Sequence, residues 1–573
     1  MSARRELLEQ LRLWREVGVL GAAEVHIASS LAARAGESRP QVVLALALAV
    51  AAPRSGHVAL DPEHARESAM REAERIDDDA REAVAALPWP VDAVAWQSEV
   101  ADSPLTPDVL RVEHGLVYLR RFHDLERSVG ERLLALASQP AEAPSSIDAL
   151  FDTMLLDDGQ RRAVQVCLAS RLGVLVGGPG TGKTRTVATI LAALLRDEKA
   201  APRIALAAPT GKAAARMGES IAKAAALLDS SDPELADLMR QIRPSTVHRL
   251  LGVRRGSAAF HHNASDPLHH DVVIIDEASM MSLPLTASLL EALSDTTRLI
   301  LVGDPDQLAS VEAGSVLADL VAARGVTSSR VAELTANHRF GAGSAIGELA
   351  AAVRLGDSEA TRQALEGGEG VVLDSSGSSA RSIVEPVALA MRGAAITGDA
   401  ALAVEHLDSV RVLCAHRRGP AGVARWNSLV ESWLGDVRPF SDYAGRPVMV
   451  TVNDAPRRLF NGDIGVVIEQ PETGALEVVI PDGESIRHVP RVHLGRVETV
   501  HALTIHKSQG SEFDRVVVVL PAADSLLATR ELLYTAITRA RSSVTLIGSI
   551  EAVLAAVARP TRRASGLRVR LEA

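Results

Sequence analysis

The sequence predicts an α/β protein with two parallel sheets flanked by helices, a helical region in front and a small β insert late in the chain. Three observations lead there. From about residue 150 onward, apolar runs of strand length alternate with longer helical stretches, the pattern of strands joined by crossover helices. The first four of those runs end in loops rich in Gly, Pro, Asp or Thr, which is where open α/β sheets bind ligands. Between about Tyr443 and Val500 the texture changes to short alternating segments with turns such as Asn461-Gly462-Asp463, which predicts a small β-barrel.

The chain has 573 residues, too many for one core, and is 47% hydrophobic and 23% charged, ordinary values for a soluble globular protein. Residues 1–145 are expected to form a helical, partner-docking domain, with apolar positions at helical spacing in Leu7–Val17 and Glu131–Ala137. A linker by composition follows at 139–146. Residues 146–335 hold the first set of runs: Leu172–Val176, Ile204–Ala208, Val272–Ile275 and Leu299–Val302, with a small insert about 245–270. Residues 336–573 hold the second set: Val410–Cys414, Arg515–Leu520 and Val544–Ile547, interrupted by the insert about 443–500. Residues 256–270 and Asp374–Ser379 read as surface loops.

Net charge is −11, but it is uneven. Residues 1–150 carry 16 Arg, no Lys and 24 acidic residues, against 45 basic and 48 acidic in the remainder. So acidic a front would repel phosphates and reads either as a protein-contacting surface or as an ordinary solvated one. Only five lysines occur (Lys183, Lys199, Lys212, Lys223 and Lys507), so Arg is the default cation and each Lys invites an explanation. Cys167 and Cys414 make neither a disulfide framework nor a zinc site. The start lacks the apolar core of a signal peptide, and Val42–Ala52 is too short to span a bilayer. No membrane association and a cytoplasmic location are therefore expected. The arginines Arg559, Arg562, Arg563, Arg568 and Arg570 read as a solvated tail.

Gly177-Gly178-Pro179-Gly180-Thr181-Gly182-Lys183-Thr184 follows a predicted strand and opens a helical run continued by Arg185. This is the P-loop pattern: glycines let backbone N–H groups close around phosphate oxygens at a helix N-terminus. Lys183 is expected to neutralise the β- and γ-phosphates of ATP, and Thr184 to place its hydroxyl on Mg²⁺. Val272–Ile275 ends in Asp276-Glu277, a Walker B pair in which Asp276 would hold Mg²⁺ and Glu277 would deprotonate the attacking water. A third strand delivers Gly303-Asp304-Pro305-Asp306-Gln307-Leu308, placing Gln307 to sense the γ-phosphate.

In this order, with Thr504–Gly510 and Tyr534–Arg541 after them, the motifs resemble those of superfamily 1 helicases over about residues 150–550. The resemblance implies two RecA-like domains with ATP in the cleft between them. It matches Gln160 to the family's adenine-reading glutamine, and Arg339 and Arg539 to arginines that reach across the cleft. Gly510 and Glu512 resemble residues near the γ-phosphate and ribose. The forms of Ala208–Ala214, Ser245–Leu250, Asn461–Gly465 and Ala502–Gly510 are similar to RecD-type helicases, which move 5′ to 3′. The short acidic front resembles the domain by which the complex-forming members dock on a RecC-like partner beside a RecB-like subunit. Standalone members usually carry a longer front with helix-hairpin-helix units, a pattern not found in residues 1–140.

A motor must hold strands of any sequence, so its contacts should go to phosphates and base faces. Thr210, Lys212, His248, Thr504, His506 and Lys507 are the candidates, each in a motif that the family places along the single-strand channel. The alternative for each is a local cap or a packed polar residue. The acidic-x-Lys match Asp197-Glu198-Lys199 lacks a preceding strand-borne Asp, so no nuclease site is expected. The resemblance implies a 5′–3′ helicase subunit of a helicase–nuclease acting on DNA ends in double-strand-break repair. A standalone helicase and a nucleotide-switched regulatory module are the alternatives.

Overall fold

The computed structural model describes residues 11–75, 80–142, 144, 147–196, 202–254, 256–257, 259–341, 343–438, 441–457, 459–483 and 485–573. Residues 7–10 of the first predicted helix, part of the predicted linker, and Asp197–Lys199 lie outside them. Two compact units result: the chain up to His338 together with Arg562–Ala573, and Arg339–Thr561.

The front of the first unit is mainly helical. Helix Pro40–Ala51 is apolar almost all round, and Val42–Ala49 is entirely buried, as expected of a helix enclosed by its neighbours. The helical reading missed a hairpin, β1 (Leu110–Glu113) with β2 (Leu116–Leu119). Its two-residue turn places His114 at φ +52° and Gly115 at φ +76°, the positive pair that a type I′ turn requires. Helix Arg120–Ser138 then lays Val129, Leu133, Leu136 and Ala137 into the core beside the first large sheet.

That sheet contains β3 (Leu172–Gly177), β4 (Ile204–Ala208), β5 (Ser245–Thr246), β6 (Val272–Ile275), β7 (Arg298–Gly303) and β8 (Val331–Leu334). The order is β5-β4-β6-β7-β3-β8 and every pairing is parallel. β3, β6 and β7 are buried along their whole length, which is why they read as continuous apolar runs. Register aligns their carboxyl ends: Val176 pairs with Gly303, Ile275 with Leu301, and Gly177 with Leu334.

The second unit has a parallel sheet of order β16-β10-β17-β18-β9. Its strands are β9 (Val371–Asp374), β10 (Val410–Cys414), β16 (Ala502–Thr504), β17 (Phe513–Val519) and β18 (Ala540–Ile547). The insert is antiparallel: β11 (Pro447–Val450), β12 (Ile464–Glu469), β13 (Leu476–Asp482), β14 (Ser485–Pro490) and β15 (Val497–Thr499). Its order, β14-β13-β12-β11-β15, leaves β14 and β15 at opposite ends of the ladder, so the strand pairing among the described residues does not confirm the expected small β-barrel.

The C-terminal segment is not the solvated tail its arginines suggested. Ala564 O accepts from the backbone N–H of Val58 at 2.9 Å, and Leu567 and Leu571 are buried in the first unit's core. Arg570 pairs with Glu113 and with Glu126, a carboxylate with no exposure. Arg563 donates to backbone carbonyls of Gly56, Ser310, Glu312 and Gly314. Arg559, at the end of the second unit, donates to Ala528 O at 3.0 Å, while Arg562 reaches His64 and Arg568 reaches Glu572.

Candidate functional site

The ends of β6, β7, β3 and β8 place the three nucleotide motifs side by side. In the P-loop, Gly180 (φ +81°) and Gly182 (φ +85°) take backbone conformations that side chains resist. A Cβ at Gly182 would stand 2.1 Å from Gln160 Nε2, and one at Gly177 would stand 2.6 Å from Thr181 Oγ1. The loop is thus a close-fitting cradle. Lys183 opens helix Lys183–Leu195, and its ammonium donates to Gly177 O at 2.6 Å and Gly178 O at 3.0 Å. Those carbonyls hold the cation over the loop, where phosphate oxygens would compete for it. Thr184 is half-buried at the helix start and Arg185 is exposed.

Asp276 is half-buried at the end of β6, and desolvation there, followed by the neighbouring Glu277 charge, pushes its carboxyl up to about 7. Its Oδ1 accepts from the Glu277 backbone N–H at 2.9 Å. Glu277 stands at φ +52°, a left-handed conformation costly for a non-glycine residue. The two adjacent carboxylates and the Thr184 hydroxyl form an oxygen donor set suited to Mg²⁺, beside a cradle and ammonium suited to a nucleoside triphosphate. Asp304 and Gln307 are buried, with Gln307 Nε2 donating to Asp304 Oδ2 at 2.8 Å.

Gln160 is buried and turned toward the protein. It completes a capping box with Asp157, and its Nε2 donates to Thr181 O at 3.3 Å. Two residues that the motif reading left without a role join it. His338 Nε2 lies 2.9 Å from Asp157 Oδ2 and its backbone N–H donates to Gly180 O at 2.8 Å. Asn337 donates to Pro179 O at 3.1 Å. The Asp-x-x-Gln spacing was a readable signal for the capping box; nothing local in the sequence marks Asn337 or His338.

Within the second unit, Glu512 pairs with Arg339 and lies 3.5 Å from Arg541 Nε. Arg539 is buried, donating to Thr535 O at 3.1 Å and Ser511 O at 3.2 Å. Gly510 stands beside them at φ +69°. Glu512 is thus held by Arg339 and Arg541, while Arg539 is anchored on the backbone of the neighbouring Ser511.

The candidate nucleic-acid residues follow β4 and the edge strands β5 and β16 of the two parallel sheets. Thr210 caps helix Gly211–Ala226 by accepting from Ala213 N–H at 3.2 Å, and Lys212 lies in that helix's first turn. After β5, Thr246 caps the turn carrying His248, whose ring meets Phe260 edge-on at 5.8 Å. After β16, Thr504 caps the turn carrying His506 and Lys507, and Lys507 pairs with Glu498. The two turns match: Thr246-Val247-His248-Arg249 and Thr504-Ile505-His506-Lys507, each with the Thr oxygen accepting from the basic residue's N–H. Arg249 was not among the expected contacts and holds the position of Lys507.

Three family models match the chain: RecBCD enzyme subunit RecD, N-terminal domain, over residues 16–115; an AAA domain over 160–313; and a UvrD-like helicase C-terminal domain over 499–547. The RecBCD enzyme subunit RecD of Mycolicibacterium smegmatis is 46% identical, covering 96% of this chain and 98% of that relative. The subunit of the same name from Haemophilus influenzae is 33% identical over 72% of each chain. The ATP-dependent RecD2 DNA helicase of Deinococcus radiodurans is 33% identical over 80% of this chain but only 59% of its own length. A solved Bacteroides Pif1 helicase in complex with ADP-AlF3 and ssDNA overlaps loosely, at TM-score 0.39 and 17% identity, over 69% of this chain and 94% of that one. With a matching front domain and 46% identity to a named member over nearly its whole length, the chain belongs to the RecD family of RecBCD enzyme subunits.

Proposed function

We propose that this chain is the ATP-driven 5′–3′ DNA motor of a RecBCD-type helicase–nuclease, working on DNA ends beside RecC-like and RecB-like subunits. The observation that carries the reading is the convergence of Lys183, Asp276, Glu277 and Gln307 on neighbouring strand ends of one sheet, in a chain of this family. ATP is the substrate, and Mg²⁺ supplies charge neutralisation when held by Thr184 and Asp276. Lys183 exchanges loop carbonyls for phosphate oxygens. Glu277 accepts the proton of the attacking water, Gln307 registers the γ-phosphate, and Arg339 and Arg539 stabilise charge developing on the transferred phosphoryl group. Gln160 serves at the adenine end, with Gly510 and Glu512 near the phosphates and ribose. Thr210, Lys212, His248, Thr504, His506 and Lys507 grip the strand through phosphates, so that each hydrolysis cycle becomes a step.

The match to the RecD N-terminal model favours the complex subunit over a standalone helicase. No nuclease is assigned to the chain, and the cytoplasm is its proposed compartment. Among the described residues no helix is long and apolar enough to cross a membrane. The test is ATP hydrolysis by the purified chain with and without single-stranded DNA. DNA-stimulated hydrolysis abolished by Lys183→Gln supports the motor. Hydrolysis indifferent to both DNA and Lys183→Gln refutes it.

A further inference from the structure

We propose that Arg563 is a positioning residue for nucleotide hydrolysis, fixing from the far end of the chain the loop that leads away from Gln307. Its guanidinium donates to Ser310 O, to Glu312 O at 3.0 Å and to Gly314 O at 2.9 Å, with Gly56 O at 3.5 Å. The planar fork is used for shape: its donors are aimed at the alternate carbonyls of Ser310, Glu312 and Gly314 in one bent loop, which an ammonium cannot reproduce.

The seat is built around that fork. Gly56 (φ +81°) would place a Cβ 2.9 Å from Arg563 Cζ, and Gly314 (φ +94°) would place one 2.8 Å from Leu283 Cβ. Gly314 N–H donates to Gly56 O at 3.0 Å, closing the joint between this loop and the front domain.

From the clamped loop the path to the chemistry is short. Ser310 N–H donates to Ser279 O at 3.2 Å, Ser282 Oγ donates to Glu312 Oε2 at 2.7 Å, and Leu283 N–H donates to Ala313 O at 2.8 Å. Ser279–Leu283 begins two residues after Glu277, and Ser310 follows Gln307 by three residues. Arg563 therefore holds together the segments bearing the general base and the phosphate sensor. It also lies two residues beyond Thr561, where the chain leaves the second unit.

This inference rests on the roles proposed for Glu277 and Gln307. Steady-state, DNA-stimulated ATP hydrolysis is measured on the full-length chain carrying Arg563→Ala or Arg563→Lys, with Lys183→Gln as reference. In Arg563→Ala, kcat is expected to fall about 10- to 100-fold, the scale of a small misplacement of catalytic groups, with KM for ATP within about twofold. Ethylguanidinium at low millimolar concentration is expected to restore part of that kcat, and Arg563→Lys to fall between. A folded Arg563→Ala with wild-type kcat overturns the proposal. So does a kcat loss that only tracks the folded fraction and is not rescued. If Arg563→Ala does not fold, Arg563→Lys decides: reduced kcat at unchanged KM supports the role, and wild-type kcat overturns it. Full hydrolysis by Lys183→Gln instead overturns the reading of the nucleotide site itself.

Discussion

At Glu277 the backbone sits at φ +52°, a conformation that costs a non-glycine residue about 1–2 kcal/mol. The fold tolerates this because the turn aims the carboxylate beside Asp276 at the sheet's carboxyl end. Glu277→Gln should lower turnover by about 10²–10⁴-fold, the range for loss of a general base, while fluorescent-nucleotide titration shows affinity little changed. Asp276 is held near 7 mainly by burial, so a cation binding there must displace a proton below neutrality. Half-saturating Mg²⁺ for hydrolysis should therefore be several-fold higher at pH 6 than at pH 8; equal values at both would show that Asp276 is already ionised. The P-loop and the Asp276-Glu277 pair were legible in the sequence because their chemistry is local, a few residues at fixed spacing after an apolar strand. The strain at Glu277, and the contacts of Asn337 and His338 with the P-loop, were not, since no local pattern encodes them.

Among the elements, the buried apolar strands were readable and the less buried or very short ones were not. Ile204–Ala208, Val272–Ile275 and Val410–Cys414 form strands at the boundaries their apolar runs suggested. β5, of 2 residues, is too short to show a period, β9 is buried only at Val371, and the hairpin at His114-Gly115 hid inside a helical region. The paired turns after β5 and β16 give the edge strands a common role, with Thr as cap and His and the basic residue at the rim. Thr246→Ala and Thr504→Ala should each cost about 1 kcal/mol of stability through the lost cap. Arg249→Ala should instead leave the melting temperature nearly unchanged and reduce the salt slope of single-strand binding by about one, as loss of one phosphate contact requires. An unchanged slope would return Arg249 to a solvated surface role.

On the scale of the molecule, the C-terminal segment was the least legible part. Its arginines find partners such as Gly56, Glu113 and Glu126, more than 400 residues away in sequence, so no local composition announces them. Ser565 joins this seat, its hydroxyl 2.9 Å from Asp319. Burial pushes the Asp319 carboxyl up to about 7, Glu126 adding to the rise and Ser565 opposing it. A carboxyl raised in the folded state contributes stability below its ordinary value near 4 that is lost as pH rises through about 7. Asp319→Asn should therefore raise stability on the order of 1–2 kcal/mol at pH 8, with the gain shrinking toward pH 5, as followed by thermal melting. A constant difference across that range would contradict a buried titrating carboxyl. The account as a whole is tested most directly by ATP-dependent unwinding of duplexes bearing a 5′ or a 3′ single-stranded tail, with Lys183→Gln as control. Unwinding from the 5′ tail alone, lost in the variant, is the expected result, and unwinding from the 3′ tail would contradict it.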